Sequence, residues 1–166
     1  MGKLELRWGV VIGLAGLIWL YLSYYLGMHT RGLALVQVMA LVCFVIQVIG
    51  FVLALRGIYR AYPEMTFLEG GASGIRIAGI VATIAAISQL GYFFLIHPEW
   101  TEYMVEETSA YYEAQGVTGK ALEEYREGAT TTFGLRSYLL QSALGALFVG
   151  AITTLITMAF LKRRGR

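Results

Sequence analysis

Charged residues are scarce in this sequence, and aspartate is absent. Only 14% of the 166 residues carry a charge, whereas about a quarter of the residues in an average soluble domain do. The single cysteine, Cys43, excludes an internal disulfide and forms no metal-ligand motif. The lack of aspartate also excludes a Ser–His–Asp catalytic triad. The composition therefore argues against a soluble enzyme and favours a membrane protein.

Four stretches, each longer than 20 residues, contain no Lys, Arg, Asp or Glu. A helix rises about 1.5 Å per residue, so roughly 20 residues cross a hydrocarbon core about 30 Å thick. We therefore predict an all-α fold, an integral membrane four-helix bundle that forms one domain over residues 1–166. The predicted spans cover about residues 8–29, 33–55, 75–97 and 136–161, and a loop over residues 98–135 joins the last two.

Lys and Arg are unevenly distributed between the two sides that these spans define. Nine lie on the side of the two termini and four on the other, and cytoplasmic loops normally carry the excess. Both termini are therefore predicted to be cytoplasmic, and eight of the eleven Glu residues lie in the outer loop. The basic tail LKRRGR is interpreted as a topology anchor that contacts membrane lipid, so no nucleic-acid partner is predicted. The nine basic residues are Lys3, Arg7, Arg56, Arg60, Arg76, Lys162, Arg163, Arg164 and Arg166.

The outer loop has the pattern of two short helices. Pro98 suits the first turn of a helix, and Glu99 and Glu102 suit its positive N-terminal end. A second helix is predicted over residues 118–128, and the threonines at 130–132 are predicted to cap the fourth span. We expect a helical hairpin that lies over the outer end of the bundle with its carboxylates in water.

Small residues recur at intervals of four in the spans, and such stripes allow helices to pack closely where lipid is the solvent. The third span carries Gly70, Gly74 and Ala78 at this spacing, and the first span carries Gly9 and Gly13, a GxxxG motif. We interpret these stripes as packing seams within the bundle. The GxxxG motif leaves a homodimer face open as an alternative.

Four glutamines are the strongly polar side chains inside the predicted spans: Gln37, Gln47, Gln89 and Gln141. Each needs a hydrogen-bond partner in a low-dielectric interior, and interhelical hydrogen bonds are the simpler explanation. The alternative is that the glutamines line a polar path. No charged side chain lies at a span centre, where ion-coupled transporters usually place one, and this counts against a pump or a secondary transporter.

Residues that could carry chemistry are few. The glycine-rich segment 66–76 lacks the Lys-Ser/Thr of a phosphate-binding loop, and we predict a flexible turn that feeds the third span. His29 and His97 both lie at the outer ends of predicted spans. Together with Glu99 or Glu102 they could form an outer-interface site for a metal ion or a quinone headgroup. Their spacing gives no motif, so we predict no catalytic residue, no bound cofactor and no metal ion.

Several short segments together carry a resemblance to a known family. They are the glycine-containing first span after a short basic start, the segment from Thr66 to Gly74, His97-Pro98-Glu99 at the end of span three, GVTGKALEEY in the outer loop, and LKRRGR. Over nearly its whole length the chain resembles an uncharacterised bacterial family of four-span inner-membrane proteins, a domain of unknown function (DUF4199-like). The resemblance implies this topology and a bacterial inner-membrane location, and it implies no activity and no catalytic residues.

Three functions follow from these observations. The first is a non-enzymatic accessory or scaffold protein, a subunit of a larger membrane complex or a homo-oligomer that packs through its small-residue faces. The second is a small transport or channel module in which Gln47, Gln89 and Gln141 line a path. The third is a lipid- or quinone-binding protein, or an enzyme, at the outer interface. A polar cavity that connects both faces would favour the second function, and a dry, sealed core would argue against it.

Overall fold

The chain folds into six α-helices and, within residues 2–164, no β-strand. The computed structural model describes residues 2–164, with the backbone alone at Leu33 and Arg164, so Arg166 of the predicted basic set lies outside the described residues. Two short helical turns lie between the α-helices: a 3₁₀ turn over Met28–Thr30 and a π-helical turn over Tyr92–Ile96. The helices are α1 (Gly2–Tyr25), α2 (Leu33–Ala61), α3 (Phe67–Gly91), α4 (Trp100–Glu113), α5 (Lys120–Phe133) and α6 (Leu135–Arg164).

Four helices are long and apolar enough to cross a membrane: α1, α2, α3 with its π-helical turn, and α6. The predicted all-α bundle of four long apolar helices is therefore confirmed. The helices extend beyond the spans predicted from charge-free stretches. Helix α1 already begins at Gly2, α2 continues to Ala61, and α3 begins at Phe67 rather than near residue 75. Charge-free length therefore underestimates these helices, because their end turns carry charged side chains.

The early start of α3 contradicts the predicted flexible turn at 66–76. The Thr66 hydroxyl accepts a hydrogen bond from the Glu69 backbone N–H at 3.2 Å, and the Glu69 carboxylate accepts one from the Thr66 N–H at 2.7 Å. This reciprocal arrangement is a capping box, which satisfies two backbone donors at a helix start. The prediction was wrong because the capping box starts a helix here, and Gly70 and Gly74 lie on the face of that helix that packs against Met158 and Thr154 of α6.

The four long helices form a ring in which neighbours follow the order α1, α3, α6, α2. Helices α1 and α3 run parallel, and α2 and α6 run antiparallel to them. Helices α2 and α3 lie on a diagonal and touch little. The end that holds the start of α1 and the end of α6 is called the basic end, and the opposite end, covered by α4 and α5, is called the capped end.

Small residues set the closest helix contacts. A Cβ added at Gly9 would lie 2.7 Å from Cβ of Ile80, and one added at Gly13 would lie 2.7 Å from Cδ1 of Ile84. Both side chains belong to α3, so the GxxxG motif is already used inside the chain and is not free to face a second copy. A Cβ added at Gly74 would lie 2.1 Å from Oγ1 of Thr154, which shows how closely α3 and α6 approach.

The half of the bundle near the basic end holds a closely packed apolar core. An ion pair between a buried carboxylate and an exposed guanidinium lies at its edge: Glu5 of α1 is 2% exposed and accepts hydrogen bonds from Ser73 Oγ at 2.5 Å and Arg76 Nη1 at 3.0 Å. This contact fastens α1 to α3. The core residues that are fully buried include Phe51, Ala54, Leu55, Ile58, Ile77, Ala78 and Met158.

The predicted helical hairpin over the other end is present as α4 and α5. The rings of Tyr112 and Tyr125 stack with centroids 3.7 Å apart, and Gly116 takes a positive φ of 83° in the turn between the two helices. Tyr103 on α4 accepts a hydrogen bond from the Gly32 N–H at 3.2 Å, which fastens the hairpin to the start of α2. Burial raises the pKa of the Tyr103 phenol, so it stays protonated.

The threonines at 130–132 do not cap α6, which corrects the prediction. They lie in the last turns of α5, where the Thr130 and Thr131 hydroxyls donate to the carbonyls of Arg126 and Glu127. Such bonding to the carbonyl four residues earlier is the usual alternative for a threonine within a helix. Helix α6 begins at Leu135, directly after Gly134.

Candidate functional site

A cavity of about 520 Å³ lies between the four long helices in the half of the bundle near the capped end. Its wall runs along 12 to 23 of α1, 36 to 47 of α2, 81 to 92 of α3 and its π-helical turn, and 138 to 149 of α6. Each stretch rises about 16 Å, roughly half the thickness of a bilayer hydrocarbon core. The cavity therefore occupies the depth of about one leaflet.

The cavity is closed toward the basic end. Ile12, Val81 and Val149 are the lowest apolar residues of its wall, and the packed core begins directly beneath them. At this level Gly150 lets the ring of Phe51 approach α6, since a Cβ on Gly150 would lie 2.6 Å from Cζ of Phe51. The cavity is therefore a pocket and not a channel through the bundle.

The cavity opens sideways between α2 and α6. The exposed members of its wall are Gln37, Ala40 and Phe44 on α2 and Gln141 and Gly145 on α6, whereas its α1 and α3 residues are buried or half-buried. Nearer the basic end the same two helices pack together on a buried core, whereas toward the cap they lie farther apart. The mouth lies on the side wall of the bundle, at the depth of the apolar helix surfaces.

All four glutamines that the sequence singles out lie in the wall of this cavity. The Gln141 side-chain N–H donates to Ser137 Oγ at 2.7 Å, and that of Gln47 to Cys43 Sγ at 3.7 Å. The Oε1 atoms of Gln47 and Gln89 are buried and have no hydrogen-bond partner within residues 2–164. The bonds that Gln47 and Gln141 donate thus stay within their own helices instead of forming the predicted interhelical bonds, and within the described residues two amide oxygens are left with free acceptor capacity.

An aromatic cluster forms the roof of the cavity. Tyr92 and Trp100 are 1% and 2% exposed, and Phe133 and Tyr138 complete the wall beneath the cap. Tyr92 reaches this position at the start of the π-helical turn that ends α3, where the His97 N–H donates to the Tyr92 carbonyl at 2.8 Å. Both rings are therefore buried in the protein and do not lie at its lipid-facing surface.

His29 is held at the top of the cavity by a chain of hydrogen bonds. The Ser23 hydroxyl donates to the Leu20 carbonyl at 2.8 Å, so its oxygen accepts from His29 Nε2–H at 2.9 Å. His29 Nδ1 then accepts from the Tyr92 hydroxyl. This arrangement fits a neutral imidazole. Burial, together with the nearby His97, lowers the pKa of His29 to about 4.

The structure brings the two predicted histidines together and leaves the two predicted carboxylates apart. The His97 ring stacks on that of Tyr92, and both histidines contact the Trp100 ring. Glu99 and Glu102 are exposed at the start of α4. In the part of the chain that the structure describes, no three His, Cys, Asp or Glu side chains come close enough to hold a metal ion.

Sequence reasoning did not find Gly16 and Gly145, which face the cavity. A Cβ on either glycine would point into open space, with no described atom within 4 Å. A weak signal was present in α6, where Gly145 follows Gln141 by one turn and therefore lies on the same helix face. The spacing does not show which glycine faces a neighbouring helix and which faces a void.

Comparisons with known proteins add a family and no activity. No curated protein and no solved structure matches the chain. The profile of a family described as "protein of unknown function (DUF4199)" matches residues 7–163, a range that takes in the cap and the whole cavity wall. The chain therefore belongs to this family of proteins of unknown function, DUF4199.

Proposed function

We propose that this protein is an integral membrane protein that binds a lipid-like molecule, taken up sideways from the bilayer through the opening between α2 and α6. One observation carries the proposal: a cavity of about 520 Å³ that is roofed by the cap, closed toward the basic end and open on the side wall. Its size lies within the roughly 300–1,000 Å³ that is usual for small-molecule sites. This role corresponds to the lipid-binding alternative predicted from the sequence.

The position of the opening supports a ligand from the membrane. The residues around the mouth belong to two helices that are apolar enough to span a bilayer, so lipid tails would surround the mouth. Trp19, Phe44 and Val149 give the cavity a largely apolar wall. Apolar walls with a few placed polar groups are typical of sites that bind drug-sized ligands.

The closed floor argues against the transport and channel alternative. A path across the bundle would need open space toward the basic end, but Leu55, Ile58 and Ile77 are fully buried in a packed core there. The scaffold alternative also loses the argument that the GxxxG motif forms a homodimer face, since Gly9 and Gly13 are covered by α3. A binding protein needs no catalytic residue, so the proposal keeps the predicted non-enzymatic role and allows membership of a larger membrane complex.

We extend the proposal to location and orientation. The excess of Lys and Arg at the basic end supports a cytoplasmic position for both termini. The location that we propose is the bacterial inner membrane, as the family resemblance in the sequence implies. The cavity would then take its ligand from the outer leaflet. Labelling of intact cells tests this in a Cys43→Ala background, where Gln115→Cys should react with a membrane-impermeant maleimide and Glu64→Cys should not. The reverse pattern would refute the orientation.

Filling the cavity tests the binding function. Gly145→Leu and Gly16→Leu place a side chain in the open space from two different helices, and Gly79→Leu is the matched control. Gly79 also lies in a long helix with open space beside it, but it does not line the cavity. Each protein is purified in a mild detergent, its helix content is checked by circular dichroism, and bound lipid is measured by native mass spectrometry.

We expect the wild type and Gly79→Leu to retain one lipid-like molecule per chain. Gly145→Leu and Gly16→Leu should lose most of this occupancy while they stay folded. Equal occupancy in the cavity variants and the control would refute the proposed function, because the retained molecule would then be held elsewhere on the surface.

A further inference from the structure

We infer that the ligand is an uncharged lipid with a small hydroxyl-bearing head, which binds beneath the aromatic roof and donates a hydrogen bond to Gln89. This inference rests on the proposed function and specifies the chemistry of the same cavity. Four features of the cavity carry it: the absence of charge from the wall, the closed roof, the distribution of polar groups with depth, and the free amide oxygen.

The described wall of the cavity contains no Lys, Arg, Asp or Glu. The ionisable side chains nearest the roof are His29, which is neutral in its hydrogen-bond chain, and the phenols of Tyr92 and Tyr138. Moving an ion from water into such a wall is very costly unless an opposite charge is present. A phosphate or ammonium head would therefore be excluded from the cavity.

The roof limits the size of the head. Trp100, the first residue of α4, and Tyr92 are almost fully buried at the inner side of the α4–α5 hairpin. The cavity therefore does not open toward the water beyond the cap. A head inside must therefore fit between the roof and the first turn of the wall below it. A single hydroxyl fits this space, whereas a large sugar or phosphodiester head would have to displace the roof.

Polar groups are concentrated just beneath the roof. Gln89 lies one turn below Tyr92 on α3, and Gln37, Gln141 and Ser142 lie near the same level on α2 and α6. The middle of the wall is apolar, and at the floor only Gln47 is strongly polar. A lipid in the leaflet near the cap has the same order, with its head toward the surface and its tail toward the midplane.

The free oxygen of Gln89 favours a hydroxyl as the head group of the ligand. Its Oε1 is buried without a partner within the described chain, and an acceptor in this state gains a hydrogen bond only from a ligand that donates. An ester or a ketone offers no donor. A hydroxyl donates, so it satisfies the free Oε1 of Gln89, and its oxygen can accept a second hydrogen bond as well.

The experiment compares three probes that share one C18 tail: oleyl alcohol, methyl oleate and oleyl phosphate. Each is titrated into delipidated protein in detergent, and the fraction of chains with one bound probe is measured by native mass spectrometry. Gln89→Met removes the amide at nearly constant length. Gln47→Met is the matched control, because it removes an amide whose Oε1 is also buried without a partner, at the other end of the cavity.

We expect the wild type to bind oleyl alcohol at least roughly threefold more tightly than methyl oleate, the factor expected for one net hydrogen bond. Oleyl phosphate should bind at least tenfold more weakly than the alcohol. Gln89→Met should remove the preference for the alcohol over the ester, whereas Gln47→Met should retain it.

Each remaining outcome separates this inference from the proposed function. Equal binding of the three heads, all lost in Gly145→Leu, would overturn the inference and leave the proposed function standing. Loss of the preference in Gln47→Met and not in Gln89→Met would overturn the placement of the head. Probe binding that Gly145→Leu and Gly16→Leu do not reduce would refute the proposed function itself.

Discussion

The contact between α3 and α6 at Gly74 gives the sharpest test of the packing. A Cβ on residue 74 would lie 2.1 Å from Oγ1, 2.3 Å from Cγ2 and 2.7 Å from Cβ of Thr154. Carbon and oxygen atoms without a bond normally stay about 3.4 Å apart or more, so Gly74→Ala would force these atoms to separate by roughly 1.3 Å. Thr154 is 2% exposed, so its side chain is enclosed by neighbouring groups.

Overpacking of this kind costs about 1–3 kcal/mol. An alanine in place of a helical glycine also gains about 1 kcal/mol from helix propensity, which would conceal part of the cost. Gly79→Ala corrects for this gain, because a Cβ there meets no described atom within 4 Å. The difference in the free energy of unfolding between Gly74→Ala and Gly79→Ala should therefore be about 1–3 kcal/mol.

The assay is equilibrium unfolding in mixed micelles of rising SDS fraction, followed by circular dichroism. Thr154→Ala should partly rescue Gly74→Ala, since it removes Oγ1 and Cγ2, the two nearest atoms, and the double-mutant cycle should show a coupling of about 0.5–3 kcal/mol. The helix arrangement would be wrong if Gly74→Ala were as stable as Gly79→Ala, or if the two sites showed no coupling.

Two further predictions concern polar contacts. Ser73→Ala should lower the free energy of unfolding by about 1–2 kcal/mol, because it removes the hydrogen bond that the Ser73 hydroxyl donates to the buried Glu5 carboxylate. Arg76→Ala should cost less than about 1 kcal/mol, because the Arg76 side chain is 61% exposed. The reverse order in SDS unfolding would contradict this account. The pKa of His29 falls from 6.5 to about 4 on folding, so the unfolded chain binds more protons between these values, and thermal stability should be constant above pH 6.5 and decline toward pH 4. His29→Gln should reduce this decline between pH 6.5 and 5, and an unchanged slope in the melting temperature would show that another group causes it.

Some features of the fold followed directly from the order of residues along the chain. The four apolar runs predict the four long helices, because a helix in a bilayer must carry apolar side chains over about 20 consecutive positions. Pro98 and the acidic residues after it predict a helix start, and the structure begins α4 at Trp100. The segment at 66–76 was misjudged because three glycines there indicate flexibility in isolation, and the capping box at Thr66 and Glu69 outweighs them.

The candidate site was only partly visible in the sequence. Gln37, Gln47, Gln89 and Gln141 were identifiable as polar residues in apolar surroundings, and all four lie in the cavity wall. Their common location could not be predicted, because it depends on how each helix is rotated about its axis. The roof could not be predicted either, since the π-helical turn after α3 changes which side chains point inward at Tyr92.

The sequence by itself determined which parts of the chain form long apolar helices and how charge is divided between their ends, because hydropathy and charge are properties of each segment alone. Only the tertiary structure decided that α2 and α6 meet at Gly150 and separate toward the cap, which creates the cavity and its opening. The physical reason is that helix spacing is set by pairs of side chains from distant segments. A bulky Phe51 against a glycine closes one end of the bundle, and the α4–α5 hairpin packs its aromatic side chains against the helix ends at the other.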